Sequence, residues 1–326
     1  MDRKTEYEAL LQQFPNRIIR NEPLSTHTTF RIGGPADLFC TVRSADKLIQ
    51  LLCAVRETTV PVVIIGSGSN ILADDRGFHG LVIRFFNQNP PELNAPYITV
   101  SAGSLLQDVI KFAVNNSLSG LEFLTGIPGS VGGAVYMNAG AYGKSISDIL
   151  HQAVIIDSDL QVQTVSSEYF QFGYRSSILQ TTRFPVVSAV FRVTQGDAET
   201  IRTECSRISS IRWEKIPDET IPSAGSFFKN LPPEHPGENR RPAGFFLDKA
   251  GAKQMRFGGA AVYEKHANII INTGTATASD VLQLARKMKT AVMKMFGISL
   301  EEEVRFLDAE RGFTTIPADT SAAASL

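Results

Sequence analysis

The segment FLTGIPGSVGGAVYMNAGAYG, residues 123–143, decides how this chain is interpreted. It carries no charge over 21 residues, a length that could cross a bilayer. It also contains Pro128 and six glycines, which are typical of a backbone that turns repeatedly and comes close to a ligand. The segment therefore predicts a ligand-contacting loop rather than a membrane helix. The six glycines are Gly126, Gly129, Gly132, Gly133, Gly140 and Gly143.

Two further glycine-containing loops lie towards the N-terminus. IIGSGSNIL (64–72) follows an apolar run and begins like a dinucleotide fingerprint, but Ile71 occupies the third glycine position. It also lacks the lysine of a phosphate-binding P-loop. TTFRIGGPADLF (28–39) adds a third loop. Several such loops on one scaffold predict a dinucleotide held by backbone amides. Glycines at bulges and tight strand-to-turn connections are the structural alternative.

Composition and charge argue against several classes of protein. The 326 residues contain 32 Lys+Arg and 33 Asp+Glu, so no excess of basic residues indicates a nucleic-acid-binding protein. Cys40, Cys53 and Cys205 lie far apart, which fits neither a disulfide framework nor a CxxC metal site. The five histidines form no pair with the spacing of a metal site, and no GxSxG motif of a serine hydrolase occurs. The first residues lack the apolar h-region of a secretory signal. We therefore expect a metal-free protein of the reducing cytoplasm.

Helical and strand-like segments are interspersed along the chain, which predicts an α+β fold. A helix should start at a Thr277/Asp280 capping box, run to Phe296 and stop at Gly297. LEEEVRFL (300–307) then reads as a closing strand whose alternation places Glu302 opposite Glu303. We expect four parts: an N-terminal segment, a ligand-binding domain, a C-terminal domain and a disordered tail. Their ranges are 1–27, 28–196, 197–308 and 309–326.

Seven motifs occur in the order seen in the UDP-N-acetylenolpyruvoylglucosamine reductase family, which the chain resembles from about residue 20 to residue 308. The resemblance implies an FAD-binding domain of the vanillyl-alcohol-oxidase (PCMH) type, built of two α+β subdomains, followed by a C-terminal α+β substrate-binding domain. The interval from Arg175 to Ser226 resembles the shorter form without an extra tyrosine loop. The motifs are RIGGPAD, GSGSNIL, GIPGSVGGAVYMNAGAYG, YRSS, AGSFFKN, GGAAVYEKHANIIIN and LEEEVRF.

The resemblance also implies roles for particular residues. Arg175 in YRSS, Ser226 in AGSFFKN and Glu303 in LEEEVRF fall on the catalytic positions, although the family usually has proline where this chain has Glu302. The implied FAD-binding residues are Gly66, Ser67, Gly68, Ser69, Asn70, Ile127, Pro128, Gly129, Ser130, Gly133 and Gly140. The implied substrate-binding residues are Tyr174, Lys215, Asn230 and His266.

The implied chemistry agrees with the residue types. Reduction of an enolpyruvyl ether places hydride on its methylene carbon and builds carbanion character beside a carboxylate. An arginine can bind that carboxylate through two hydrogen bonds, a serine can supply the proton, and a glutamate can polarise the developing enolate. The implied cofactors are FAD and NADPH, and the implied partner is a UDP-sugar enolpyruvyl ether. No nucleic acid, membrane or obligate protein partner is predicted.

Two other functions remain open on sequence alone. One is a flavin oxidase on the same scaffold that oxidises an alcohol or a sugar with oxygen; many such enzymes attach flavin covalently, and no histidine lies in the glycine loops. The other is a nucleotide-binding regulatory module without turnover. Flavin that NADPH cannot reduce would favour that module.

Overall fold

The computed structural model describes residues 2–316 and contains helices and strands throughout that range. The α-helices are α1 (Arg3–Gln13), α2 (Ala45–Arg56), α3 (Leu106–Asn115), α4 (Val131–Tyr136), α5 (Leu179–Thr182), α6 (Ala198–Trp213), α7 (Ala243–Lys249) and α8 (Ala278–Phe296). The strands are β1 (Ile18–Pro23), β2 (Pro35–Val42), β3 (Val62–Ile65), β4 (Ile71–Ala73), β5 (Phe78–Phe85), β6 (Glu92–Asn94), β7 (Tyr97–Ser101), β8 (Leu118–Ser119), β9 (Gly140–Ala141), β10 (Lys144–Ser145), β11 (Leu150–Ile156), β12 (Val162–Ser166), β13 (Val186–Arg192), β14 (Thr194–Gln195), β15 (Ser223–Ser226), β16 (Arg256–Phe257), β17 (Ala260–Val262), β18 (Ile269–Asn272), β19 (Arg305–Asp308) and β20 (Gly312–Thr314).

Local capping signals determine where the clearest helices begin and end. Helix α8 starts at the predicted capping box, in which the Thr277 hydroxyl accepts from Asp280 N–H and the Asp280 carboxylate accepts from Thr277 N–H. It ends at Gly297, whose φ of 67° is the left-handed conformation that glycine adopts easily. The predicted boundaries of α8 are confirmed. No helix in residues 2–316 is both long and apolar enough to cross a membrane.

The described chain forms two compact units. The first contains the chain up to Glu22, Leu38–Ser69 and Gly80–Lys215. Its two larger sheets have the strand orders β1-β2-β5-β3 and β12-β11-β13-β7-β6, and β3 pairs with β5 in parallel. One apolar core joins α2 and α3 to these strands, and it includes fully buried Leu48 and Phe191. This unit holds the glycine-rich segment 123–143 and the residues 64–69 of the IIGSGSNIL loop, whereas most of the third loop, residues 28–37, belongs to the second unit.

The second unit contains Pro23–Asp37, Asn70–His79 and the chain from Ile216 onwards. Its sheets have the orders β15-β18-β17-β16 and β20-β19-β4, with β19 parallel to β4. Helix α8 buries Leu284, Met288 and Val292 in a separate apolar core. Mixed helix and strand in both units confirm the predicted α+β class, whereas the predicted domain boundaries remain predictions.

Two expectations for the C-terminal region need correction. The predicted closing strand over residues 300–307 begins only at Arg305, because the preceding glutamates make one isolated bridge, Phe228↔Glu302. The predicted disorder does not begin at residue 309, because Ala309 is buried and β20 pairs with β19. The remainder of the predicted tail, residues 317–326, lies outside the described residues.

Candidate functional site

The first glycine loop, Gly66–Ser69, follows β3 in the first unit. Gly68 adopts a left-handed φ of 69°, which lets the chain turn sharply after the strand. Within residues 2–316 the amides of Ser67, Gly68 and Ser69 donate no hydrogen bond. The Ser67 hydroxyl oxygen is also buried without a partner in the described chain. Buried polar groups normally have partners, so this loop has donors available for an anion.

The second glycine loop, Ile127–Gly133, is packed against the first. The Ser69 hydroxyl donates to the Pro128 carbonyl oxygen at 3.0 Å. A Cβ atom at Gly66 would lie 2.1 Å from Ser130 Oγ, and one at Gly129 would lie 3.1 Å from Ser69 Oγ. Gly129 has in addition a φ of 142°, so any side chain there would be strained. The two loops therefore come together only because these positions have no side chain.

Ser130 and the residues after it form the start of α4. The Ser130 hydroxyl accepts from the Gly133 N–H at 3.3 Å, while Gly132 N–H donates to the Ala102 carbonyl oxygen at 2.8 Å. A Cβ at Gly133 would meet only Ser130 Oγ, at 3.4 Å, so a larger side chain would extend into open space. Gly133 is thus the glycine at which added bulk tests ligand contact most directly.

Arg175 is held against another glycine of the same unit. Its Nη2 donates to the Gly140 carbonyl oxygen at 2.9 Å, and its Cζ lies 5.2 Å from the centre of the Tyr174 ring. Gly140 belongs to a tight hairpin, because a Cβ there would lie 2.3 Å from the Lys144 carbonyl oxygen. Arg175 itself has a φ of 53°, in the left-handed region. A constrained turn therefore presents this guanidinium, which is a reason to regard it as functional.

The sequence analysis missed Arg212, which lies at the end of α6 in the same unit. Burial lowers its pKa from the ordinary arginine value, and the nearby charge of Arg175 acts in the same direction. The nearby Tyr142 side chain acts in the opposite direction and raises the pKa. Gly126 leaves room for the arginine, because a Cβ there would lie 2.9 Å from its Cδ and Nε atoms. No local motif marks Arg212, since its neighbours come from distant segments.

Ser226 ends β15 in the second unit and is followed by a tightly held backbone. Buried Asn268 accepts from the Phe228 N–H at 2.9 Å and donates to the Phe228 carbonyl oxygen at 2.8 Å. The Asn268 carbonyl oxygen accepts from the Phe227 N–H at 2.8 Å. Gly225, with a φ of 72°, supplies the turn immediately before Ser226. Asn268 therefore determines the course of the chain directly after the serine.

Glu303 lies beside the same segment. Its N–H donates to the Phe227 carbonyl oxygen at 2.8 Å, and its own carbonyl oxygen accepts from Asn70 Nδ2 at 3.1 Å. Phe227 is thus bonded to the chain at Glu303 and follows Ser226 directly in sequence. The structure brings these two predicted catalytic residues onto neighbouring backbones. It gives Asn70, which the sequence predicts as an FAD-binding residue, a contact with the Glu303 backbone.

The predicted substrate-binding residues are distributed between the units. Tyr174 and Lys215 belong to the first, and the Lys215 N–H donates to the Arg212 carbonyl oxygen at 3.0 Å. In the second, Asn230 Oδ1 accepts from the Ala243 N–H at 3.2 Å, at the start of α7. His266 Nδ1 accepts from the Asn268 N–H at 3.2 Å, so a neutral ring carries its proton on Nε2 and can donate from there.

The described residues 2–316 contain no group of three His, Cys, Asp or Glu side chains that could hold a metal ion. The arrangements that stand out are instead the paired glycine loops with unbonded amides and the Ser226–Glu303 segment. The first suits an anionic ligand, and the second places a hydroxyl and a carboxyl group on adjoining backbones.

Comparison with known proteins finds similarity over nearly the whole chain. Residues 36–166 match the family described as FAD binding domain, and residues 216–307 match the UDP-N-acetylenolpyruvoylglucosamine reductase C-terminal domain. The UDP-N-acetylenolpyruvoylglucosamine reductase of Clostridium perfringens (strain SM101 / Type A) is 38% identical, covering 94% of this chain and 99% of that protein. The enzyme of the same name from Latilactobacillus sakei is 40% identical over 88% of this chain and 92% of its own.

A solved structure agrees with these relatives. The crystal structure of UDP-N-acetylenolpyruvylglucosamine reductase from Thermus caldophilus has 32% sequence identity and a TM-score of 0.73. The similarity covers 89% of this chain and 97% of that one. Similarity of this extent includes both compact units, and it is not limited to the cofactor-binding loops.

Proposed function

The chain belongs to the UDP-N-acetylenolpyruvoylglucosamine reductase family, and from this premise we propose that it reduces UDP-N-acetylglucosamine enolpyruvate with NADPH, yielding UDP-N-acetylmuramate for peptidoglycan precursor synthesis. It is an FAD-dependent oxidoreductase with a PCMH-type cofactor-binding fold. The observation that carries the proposed reaction is the backbone contact joining Glu303 to the residue after Ser226. The cytoplasm remains the predicted location.

The residues of the glycine loops fit FAD. The unbonded amides of Ser67, Gly68 and Ser69 and the unpartnered Ser67 hydroxyl would donate hydrogen bonds to the phosphate oxygens of FAD, which accept them. Gly129 and Gly133 leave room for the backbone to approach the cofactor closely. When bound, FAD supplies the hydride from its N5 atom. This chain's own side chains must then bind the substrate and move the proton.

Arg175 would bind the substrate carboxylate. A guanidinium remains charged at any physiological pH and can donate two parallel hydrogen bonds to a carboxylate. Its hydrogen bond to the Gly140 carbonyl oxygen and its contact with Tyr174 fix the direction of the side chain. The arginine is therefore oriented before substrate binds, which reduces the cost of ordering it in the complex.

Ser226 would give its hydroxyl proton to the carbon that carries the carboxylate, while Glu303 would polarise the developing enolate. The reaction balances as follows: the methylene carbon gains hydride, the adjacent carbon gains the Ser226 proton, water returns a proton to the serine oxygen, and NADPH becomes NADP⁺. Serine is a weak acid, so its position relative to the reacting carbon matters strongly. The Asn268 hydrogen bonds to Phe228 hold the backbone that sets this position.

Tyr174, Lys215, Asn230 and His266 would contact the UDP-sugar. Lys215 supplies a positive charge suited to a diphosphate, and His266 offers an Nε2–H donor. No separate nicotinamide motif occurs in the sequence, so we propose that NADPH and the sugar nucleotide occupy the substrate-binding cleft in turn.

The absorption spectrum of the purified protein tests this function. We expect flavin bands that bleach anaerobically on addition of NADPH and return on addition of the enolpyruvyl substrate. Rapid return with oxygen alone, and none with substrate, would instead indicate the oxidase. Bands that NADPH does not bleach would indicate the regulatory module.

A further inference from the structure

Three consecutive glutamates precede β19, and the structure gives the first two different lysine partners. Glu301 is 73% exposed and pairs with Lys229. Glu302 is only 18% exposed, and its Oε1 lies 2.7 Å from Lys289 Nζ on α8. Because Glu302 directly precedes Glu303, this partly buried ion pair connects a long helix to the segment that carries the proposed catalytic glutamate.

The backbone of this segment is held by a short pairing and, at its end, by the hydrogen bond from Asn70 Nδ2 to the Glu303 carbonyl oxygen. Residues 301–303 are joined to residues 227–229 by an isolated bridge, with Lys229 N–H donating to the Glu301 carbonyl oxygen and Glu303 N–H to that of Phe227. No regular strand forms until Arg305. A pairing of three residues can shift along its partner more easily than a longer ladder can. An ion pair made by the central residue, Glu302, limits that shift.

Helix α8 holds Lys289, the lysine of this ion pair, on a rigid backbone. It runs from Ala278 to Phe296, and Met288, next to Lys289, is fully buried in the core of the second unit. The lysine stem therefore starts from a fixed backbone. A charge-assisted hydrogen bond is also stronger in a partly buried place than on an open surface, where ion pairs contribute little.

We propose that Lys289 and Glu302 form a positioning pair that holds Glu303 at the reacting group. This inference rests on the catalytic role proposed for Glu303. The pair itself touches neither substrate nor cofactor; it fixes the register and direction of residue 303 from the side of α8. Displacement of a reacting group by about 1 Å can lower a rate by about 100-fold, so a small relaxation here should be measurable.

The two half-reactions of the FAD-loaded enzyme test the proposal separately. Lys289→Met should slow flavin reoxidation by the enolpyruvyl substrate by about 10- to 100-fold, while flavin reduction by NADPH stays within about twofold of wild type. Glu302→Gln, which retains an oxygen that can accept from Lys289, should have a smaller effect. The charge-exchanged protein carrying Lys289→Glu and Glu302→Lys should recover most of the lost reoxidation rate.

Two controls make the result specific. Glu301→Gln removes the neighbouring, exposed ion pair from the same segment and should leave both half-reactions unchanged. Glu303→Gln, measured in the same assay, tests the catalytic role on which the inference depends. Loss of reoxidation in Glu303→Gln together with wild-type behaviour in Lys289→Met and Glu302→Gln would overturn the positioning role and leave the proposed function intact.

Other outcomes would also contradict the positioning role of Lys289 and Glu302. Equal slowing of both half-reactions in Lys289→Met, without recovery on charge exchange, would mean a general structural role and would overturn the proposal. If Lys289→Met does not fold, Glu302→Gln and the charge-exchanged protein give the same comparison. Normal reoxidation in Glu303→Gln would overturn the role of Glu303 and, with it, the pair that positions it.

Discussion

Asn268 offers the sharpest test of how the second unit holds the segment that follows Ser226. The side chain is 2% exposed and makes two hydrogen bonds to Phe228, one accepted at 2.9 Å and one donated at 2.8 Å. Asn268→Ala leaves both main-chain groups of a fully buried residue without these partners. Each buried unsatisfied group costs about 1–3 kcal/mol, so we expect a loss of about 2–6 kcal/mol in the free energy of unfolding.

Urea unfolding of the FAD-saturated protein measures this loss, followed by a probe that reports on the second unit. The matched control is Asn116→Ala, because exposed Asn116 donates to the Phe112 carbonyl oxygen at 2.8 Å in the first unit. The Phe112 carbonyl oxygen still accepts from the Asn116 N–H at 3.1 Å in this variant, so the control should lose less than about 1 kcal/mol. A loss at Asn268 as small as that of the control would refute the reasoning that its two hydrogen bonds hold the segment after Ser226.

Three further outcomes test the cofactor contact and the proposed catalytic residues. Gly133→Val should purify folded but colourless, because its side chain enters the space left for FAD; a yellow, fully loaded protein would contradict this contact. Ser226→Ala should retain flavin reduction by NADPH but lose reoxidation by substrate by about 100- to 10,000-fold, and equal loss in both would exclude a proton donor. Arg175→Ala should raise KM and lower kcat, whereas Glu303→Gln should lower kcat with little change in KM. Steady-state kinetics with an unchanged KM in Arg175→Ala and a raised KM in Glu303→Gln would contradict both proposed roles.

Local signals allowed much of the fold to be predicted. The Thr277/Asp280 capping box and Gly297 determined both ends of α8, because caps act through residues within one turn of the helix end. The glycine-rich segment 123–143 likewise indicated a turning backbone, which the structure shows as short helices and a hairpin. In each case the interacting groups lie close together in sequence.

Contacts between distant segments could not be predicted in this way. Arg212 lies near Gly126 and Tyr142 although it follows them by 86 and 70 residues, and no motif around Arg212 indicates that proximity. The Asn268 side chain also hydrogen-bonds to the backbone of Phe228, a residue forty positions earlier in the sequence. Asn268 directly precedes β18, and an asparagine before a strand has no local feature that distinguishes a residue binding a distant backbone from a turn residue.

The three glutamates show most clearly where pattern reasoning fails. Strict alternation would place Glu301 and Glu303 on one face and Glu302 on the other, but alternation applies only to a regular strand, and the strand begins at Arg305. Glu301 and Glu302 differ instead in which part of the chain supplies the lysine that pairs with them. Lys229 reaches exposed Glu301 from the segment after Ser226, and Lys289 reaches partly buried Glu302 from α8. A change that moved either lysine along its own element would redirect its glutamate without altering the sequence EEE, so tertiary contacts decide which glutamate is available for the proposed catalytic role.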